Sequence, residues 1–182
     1  IKLNIPYDSE KAVKTAEEIM GFISKKAKKY SKNNKTLTTV APTGTISLIA
    51  DCSSGIEPLF ALSYIKKVLE GKNLLIINRD FEKIAKEKGF YSIRLMKKIA
   101  EKGSVKGIKG IPKDIQKLFI TAMDIKPESH LKIQAAFQKY TDNAVSKTIN
   151  LPNKATISDI KKIFLLAHKL KCKGITIYRY GS

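Results

Sequence analysis

Between residues 36 and 60 the chain reads TLTTVAPTGTISLIADCSSGIEPLF, and three hydroxyl side chains, Thr43, Thr45 and Ser47, cluster around Gly44. That grouping suits the charged tail of a phosphorylated ligand. The β-branched run Thr36–Val40 predicts a strand, Pro42 and Gly44 break it, and Thr45–Ala50 can begin a helix. A turn of this type leaves backbone N–H groups unpaired at a helix N-terminus, where aligned peptide dipoles favour an anion. Gly44 admits a ligand close to the backbone, and the three hydroxyls can donate to phosphate oxygens. Pro42, Thr43, Gly44, Thr45, Ile46 and Ser47 make up the turn. On local pattern alone, an ordinary strand-to-helix turn with Thr45 or Ser47 as its cap stays open. No Gly-Lys-Ser/Thr ending follows, so ordinary ATP hydrolysis is not indicated.

Other residues able to do chemistry offer less. His130 opens an expected helix, where capping or packing is the simpler role, and His168 sits among Leu165, Leu166 and Leu170 with no second ligand at metal-binding spacing. Gln134, Gln138, Asp142 and Asn143 fall on neighbouring turns, as a polar cluster facing a cavity or as a solvated face and cap. Cys52 and Cys172 lack paired spacing, which argues against a disulfide scaffold or a zinc site. Both read as small core hydrophobes of a chain in a reducing cytoplasm. No catalytic or metal-binding residue is expected.

The elements that must position the turn alternate along the chain. Helical spacing of Ala12, Val13, Ala16, Ile19, Met20 and Ile23 predicts a helix over 8–30, with Asp8 or Ser9 as N-cap. Residues 61–68 and 73–77 form an expected hairpin around Glu70-Gly71-Lys72. Helices follow at about 79–88, 92–102 and 112–123, the last entered through Pro112 in its first turn, with a Gly-rich loop over 103–112. A largely buried helix spans 128–141 behind Pro127. Then come a strand at 144–149, an amphipathic helix at 156–171 capped near Thr156 or Ser158, and a strand at 174–179. Strand, helix, strand at this spacing is a βαβ crossover, which requires a parallel pair.

Composition bounds the class. The chain has 182 residues, 43% of them hydrophobic, enough for one globular domain with its own core. A single domain over 1–182 is the expectation. No apolar run has membrane-spanning length and no signal peptide is visible, so a soluble, cytoplasmic chain without membrane partners is expected. The net charge is +19, which favours nonspecific association with nucleic acid at low salt. Yet Arg79, Arg94 and Arg179 are the only arginines among 35 basic residues. Arginine is the side chain suited to bidentate phosphate and guanine contacts, and the lysines spread over every expected helix, so a dedicated nucleic-acid face is not indicated.

Three ordered blocks carry a family resemblance. APTGTISLIA followed by SSGIEPLFALSY resembles the substrate-phosphate loop of ribonucleotide reductases, in particular the adenosylcobalamin-dependent class II enzymes. HLKIQAAFQKYTDNAVSKTINLP at 130–152 and KCKGITIYRYGS at 171–182 resemble the last part of the same catalytic barrel, and IPYDSEKAVKTAEEIMGFI resembles one of its helices. The resemblance implies an α/β fold, part of a ten-stranded α/β barrel of the ribonucleotide reductase type, a ribonucleotide substrate, di- or triphosphate, and Pro42, Thr43, Gly44, Thr45, Ile46 and Ser47 as the substrate-binding residues. In that family a cysteine thiyl radical on a central finger loop removes the 3′-hydrogen, a cysteine pair supplies reducing equivalents, and an asparagine and a glutamate assist.

No Asn-x-Cys-x-Glu pattern occurs in these residues, and Cys52 and Cys172 stand away from the family's catalytic positions. The chain is thus expected to be the C-terminal part of a reductase barrel, inactive alone, and its start at Ile1 fits a fragment. Adenosylcobalamin is implied for the complete enzyme, with none held by this segment alone. Its partners would be the ribonucleotide and the remainder of the barrel, in the same or a separate chain, with a homodimer as a way to cover exposed barrel edges. The alternative is a non-catalytic remnant that binds nucleotide or nucleic acid. Three departures mark the match: Asn33 stands where the family has Arg, Asp51 where it has Gly, and Tyr180 where an acidic residue precedes the closing Gly-Ser. A negative charge at Asp51 would weaken a phosphate seat unless it turned away or met a lysine.

Overall fold

The computed structural model describes residues 5–31, 33–50, 52–67 and 73–181. Its contacts divide the chain into two compact units, one built on Leu59–Asp124 and the other on Tyr7–Pro58 with Ile125–Ser182.

In the first unit, β1 (Ser63–Lys67) pairs antiparallel with β2 (Asn73–Ile77), Ser63 opposite Ile77. This is the expected hairpin; the connection Glu70-Gly71-Lys72 lies outside the described residues. Helices α3 (Arg79–Glu87) and α4 (Ile93–Lys102) start where Asn78 and Ser92 accept the amides of Phe81 and Leu95, and α4 stops at Gly103 with φ 71°. Phe81, Ala85, Met96, Ile99, Val105 and Leu62 close a core in which the Phe81 and Phe119 rings meet edge to face at 5.2 Å.

The helix expected over 112–123 is shorter and starts later. Pro112 is its N-cap rather than part of its first turn, α5 covers Lys113–Leu118, and a separate 3-10 turn covers Ala122–Asp124. The reason is local. Asp124 Oδ2 accepts from the Thr121 amide, the Thr121 hydroxyl and Ser104 Oγ, an alternative to continuing the helix.

The second unit pairs α1 (Glu10–Tyr30) with α6 (Pro127–Gln138) and lays α6 and α7 (Ile157–Lys169) against a two-stranded parallel sheet, β3 (Thr148–Leu151) and β4 (Thr176–Arg179). Ser9 caps α1 through the Ala12 amide, and Thr156 and Asp159 form a reciprocal capping box on α7. The βαβ crossover is present as expected, and Leu131, Ile149, Leu151, Ile163 and Ala167 form its core. Strand β3 begins later than the expected 144–149. A short helix, α2 (Gly44–Ile49), completes the unit.

The strand expected over Thr36–Val40 is extended chain with one parallel bridge, Val40 to Val145. Asp142 accounts for the difference. Its Oδ2 takes the Leu37 and Thr38 amides at 2.9 and 3.1 Å, donors a ladder would otherwise use, and Pro42 has no amide to extend the pairing.

Candidate functional site

The turn entering α2 holds all six expected residues together. Thr43 is its N-cap in the left-handed conformation, φ 54° and ψ 29°, with no cap bond from its side chain, so neither Thr45 nor Ser47 caps the helix. Among the described residues no acceptor meets the amides of Gly44, Thr45 or Ile46. A Cβ built on Gly44 would find nothing within 4 Å, so the backbone there faces open space. Three unengaged N–H groups beside a bare glycine are donors that an anion can use.

The side chains divide. Thr43 and Thr45 hydroxyls keep a proton to donate, Thr43 Oγ1 meanwhile accepting the Gly55 amide at 2.9 Å. Ser47 points inward, buried, and donates to the Gly44 carbonyl at 2.7 Å, which ties the first turn together instead of facing a ligand. Pro42 offers its carbonyl to Ser54 Oγ. Ile46 contributes an amide, while its side chain is exposed with those of Leu48 and Ile49. Asp51, the expected electrostatic liability, lies outside the described residues.

A β-branched residue at positive φ is costly, on the order of 1–3 kcal/mol, and persists only where its surroundings over-determine it. Here the strap 52–58 does so. Ser54 and Gly55 hold Pro42 and Thr43, and Gly55 itself runs at φ +51° with a built Cβ only 3.2 Å from the Ala41 carbonyl. Glycine is required at that position for two reasons, conformation and close approach.

Behind the strap lies a buried polar cluster. Lys147 has a fully buried side chain, and its ammonium reaches Glu57 Oε2 at 2.6 Å, the Thr148 carbonyl at 2.5 Å and His130 Nδ1 at 2.9 Å. An ammonium only donates, so Nδ1 accepts and the ring proton sits on Nε2. Glu57 Oε1 takes the Thr148 amide at 2.6 Å. Tyr7 lies beneath, its ring 5.9 Å from the ammonium and its hydroxyl donating to the Ile56 carbonyl at 2.8 Å. Burial lowers the Lys147 pKa against the pull of Glu57, and burial with the nearby carboxylate raises the Tyr7 phenol far above its ordinary value.

The remaining expectations sort plainly. His130 packs, fully buried, against Tyr7 and Lys147. His168 is exposed in the last turn of α7. Gln134 and Gln138 are buried and donate to the carbonyls of Val145, Gly174, Thr141 and Asn143, binding neighbouring loops to α6, and Gln138 also lines a cavity of the second unit, as the cavity-facing reading expected. Cys172 is half-buried beside the core of its unit, whereas Cys52 is exposed and not the core residue expected.

Sequence reasoning missed Ser54, Gly55, Glu57, Lys147 and Tyr7. One signal was available for Lys147. It stands between Val145 and Ile149 at alternate positions, so it shares their inward face.

Residues 23–178 match the family described as ribonucleotide reductase, barrel domain. The chain belongs to that family. The vitamin B12-dependent ribonucleoside-diphosphate reductase of Thermoplasma acidophilum is 43% identical over all of this chain and 27% of its own length. The enzyme of the same name from Mycobacterium tuberculosis is 41% identical over 99% of this chain and 29% of its length. The ribonucleotide reductase barrel segment described here therefore spans well under a third of these relatives. The structure of the Actinobacillus ureae class Id ribonucleotide reductase alpha subunit superposes with a TM-score of 0.83, at 24% identity, over 98% of this chain and 36% of that one, and shows the shared α/β fold. Among the described residues no helix is long and apolar enough to cross a membrane.

Proposed function

We propose that this segment supplies the substrate-phosphate seat of a B12-dependent ribonucleoside-diphosphate reductase, working in the cytoplasm, with the radical chemistry on residues outside the segment. The carrying observation is the set of unengaged amides at Gly44, Thr45 and Ile46 beside the open face of Gly44. The Thr43 and Thr45 hydroxyls complete the contacts, Pro42 and Ser47 hold the turn, and Ile46 contributes only its amide. The two units belong in this reading to one barrel domain completed by the rest of the reductase, in the same or a separate chain, and the segment alone does not reduce ribonucleotides. A homodimer is a further way to cover its exposed apolar helix faces, Phe22 on α1 and Leu165 on α7 among them.

Adenosylcobalamin belongs to the complete enzyme and would supply the radical there.

Titration with a nucleoside diphosphate, followed by amide chemical shifts, tests the seat. Gly44, Thr45 and Ile46 amides should shift first and together, and Gly44→Val should weaken binding about tenfold by filling the open face. Shifts confined to other residues, or unaltered affinity in Gly44→Val, would refute the assignment. The second reading, a non-catalytic module for nucleotide or nucleic acid, draws on the net charge of +19. Duplex DNA binding that fell steeply with salt, with no nucleotide effect at the turn, would favour it.

A further inference from the structure

The buried Lys147 side chain has no part in the seat as proposed, yet it is connected to it by an unbroken series of contacts. Immediately before β3, its ammonium grips Glu57 Oε2 at 2.6 Å, and the other carboxylate oxygen takes the Thr148 amide at 2.6 Å, so Glu57 is held at both oxygens. The Glu57 amide in turn donates to the Ser54 carbonyl at 3.0 Å, closing a tight turn across 54–57. From the far side of that turn Ser54 Oγ reaches the Pro42 carbonyl and the Gly55 amide reaches Thr43 Oγ1. Tyr7 secures the same turn through Ile56, and His130 on α6 accepts the third ammonium proton.

We propose that Lys147 is a positioning residue for the anion seat: through Glu57 it fixes the 54–57 strap, and the strap holds Thr43 in the left-handed conformation that turns the Gly44–Ile46 amides outward. The role rests on the seat proposed above. Its physical basis is that the left-handed Thr43 needs external restraint, and the restraint is useful only if its own anchor does not move. A lysine with all three protons engaged and no exposed surface is such an anchor. An exposed ion pair would not be, because its partners exchange with water.

The test uses the full reductase chain carrying this segment and two replacements, Lys147→Met and the double variant Lys147→Met with Glu57→Leu. The double variant exchanges the buried pair for apolar side chains, which generally preserves the fold, while removing the grip on the Thr148 amide. Hydrogen exchange without nucleotide should be at least tenfold faster over 41–58 in both proteins and unchanged over α6. KM for the nucleoside diphosphate should rise about tenfold with kcat little altered, and Glu57→Gln, which can still accept the Thr148 amide, should recover most of the loss. Uniformly faster exchange across the unit, loss of fold in both variants, or wild-type exchange over 41–58 would overturn the proposal. If the parent enzyme holds no phosphate at 42–47, the seat fails, but the exchange measurement still decides whether Lys147 orders the turn.

Discussion

Thr43 Oγ1 accepts the Gly55 amide at 2.9 Å, so a residue at positive φ is restrained by a second residue at positive φ twelve positions later. The pair couples the 42–47 turn to the strap that follows it. Gly55→Ala should therefore act on the turn and not only on the strap. Its Cβ would press on the Ala41 carbonyl and its backbone would disfavour φ +51°. A stability loss of about 1–3 kcal/mol is expected in urea titration, with nucleotide affinity falling more than in Ser53→Ala, an exposed change in the same strap.

Alkaline stability should show two opposed effects within one cluster. Burial lowers the Lys147 pKa below its ordinary 10.5, so the unfolded chain holds that proton better and the cost of burying the ammonium eases as pH climbs toward 10.5. The Tyr7 phenol is raised above its ordinary 10.0, so its contribution is full below that pH and is lost as pH rises beyond it. Stability should rise toward pH 10.0, flatten between 10.0 and 10.5 where the two effects oppose each other, and decline above that. Tyr7→Phe should remove the decline in pH-dependent melting and cost about 1 kcal/mol at neutral pH for the lost bond to Ile56.

Acid should release the approach to the turn. The Leu37 amide, then the hydroxyl and amide of Thr38, hold the Asp142 carboxyl below its ordinary 3.8 against the effect of burial. That support is present above 3.8 and fades as pH falls through the lower folded value. Protection of the Leu37 and Thr38 amides relative to their intrinsic exchange rates should fall at low pH, and Asp142→Asn should lower it at neutral pH as well.

The cysteines should react at different rates. Cys52 is exposed, whereas Cys172 is half-buried and its thiol is raised by desolvation, leaving less thiolate. Alkylation followed by mass spectrometry should label Cys52 first. Equal rates would show that Cys172 opens readily.

In the first unit, Phe81 is fully buried and touches the rings of both Phe90 and Phe119. Phe81→Ala should cost about 3–5 kcal/mol by chemical denaturation, through the cavity it leaves and the lost ring contacts.

Much of the second unit is written in short-range terms. Ser9 three residues before Ala12, Thr156 three before Asp159 and Pro127 at the start of α6 each act on their own backbone, and the structure uses them as their spacing predicts. The parallel β3–β4 pair follows equally from the order and length of the elements between. The turn into α2 was legible for the same reason, since a glycine among hydroxyls after a β-branched run constrains the backbone locally. Tertiary structure decided what restrains it. Glu57 meets Lys147 at a separation of 90 residues and Asp142 meets Thr38 at 104, and nothing within either neighbourhood names its partner. Whether a lysine is a solvated charge or a buried anchor depends on which carboxylate, ring and carbonyl the completed fold places around it, and that choice is made by packing rather than by local propensity.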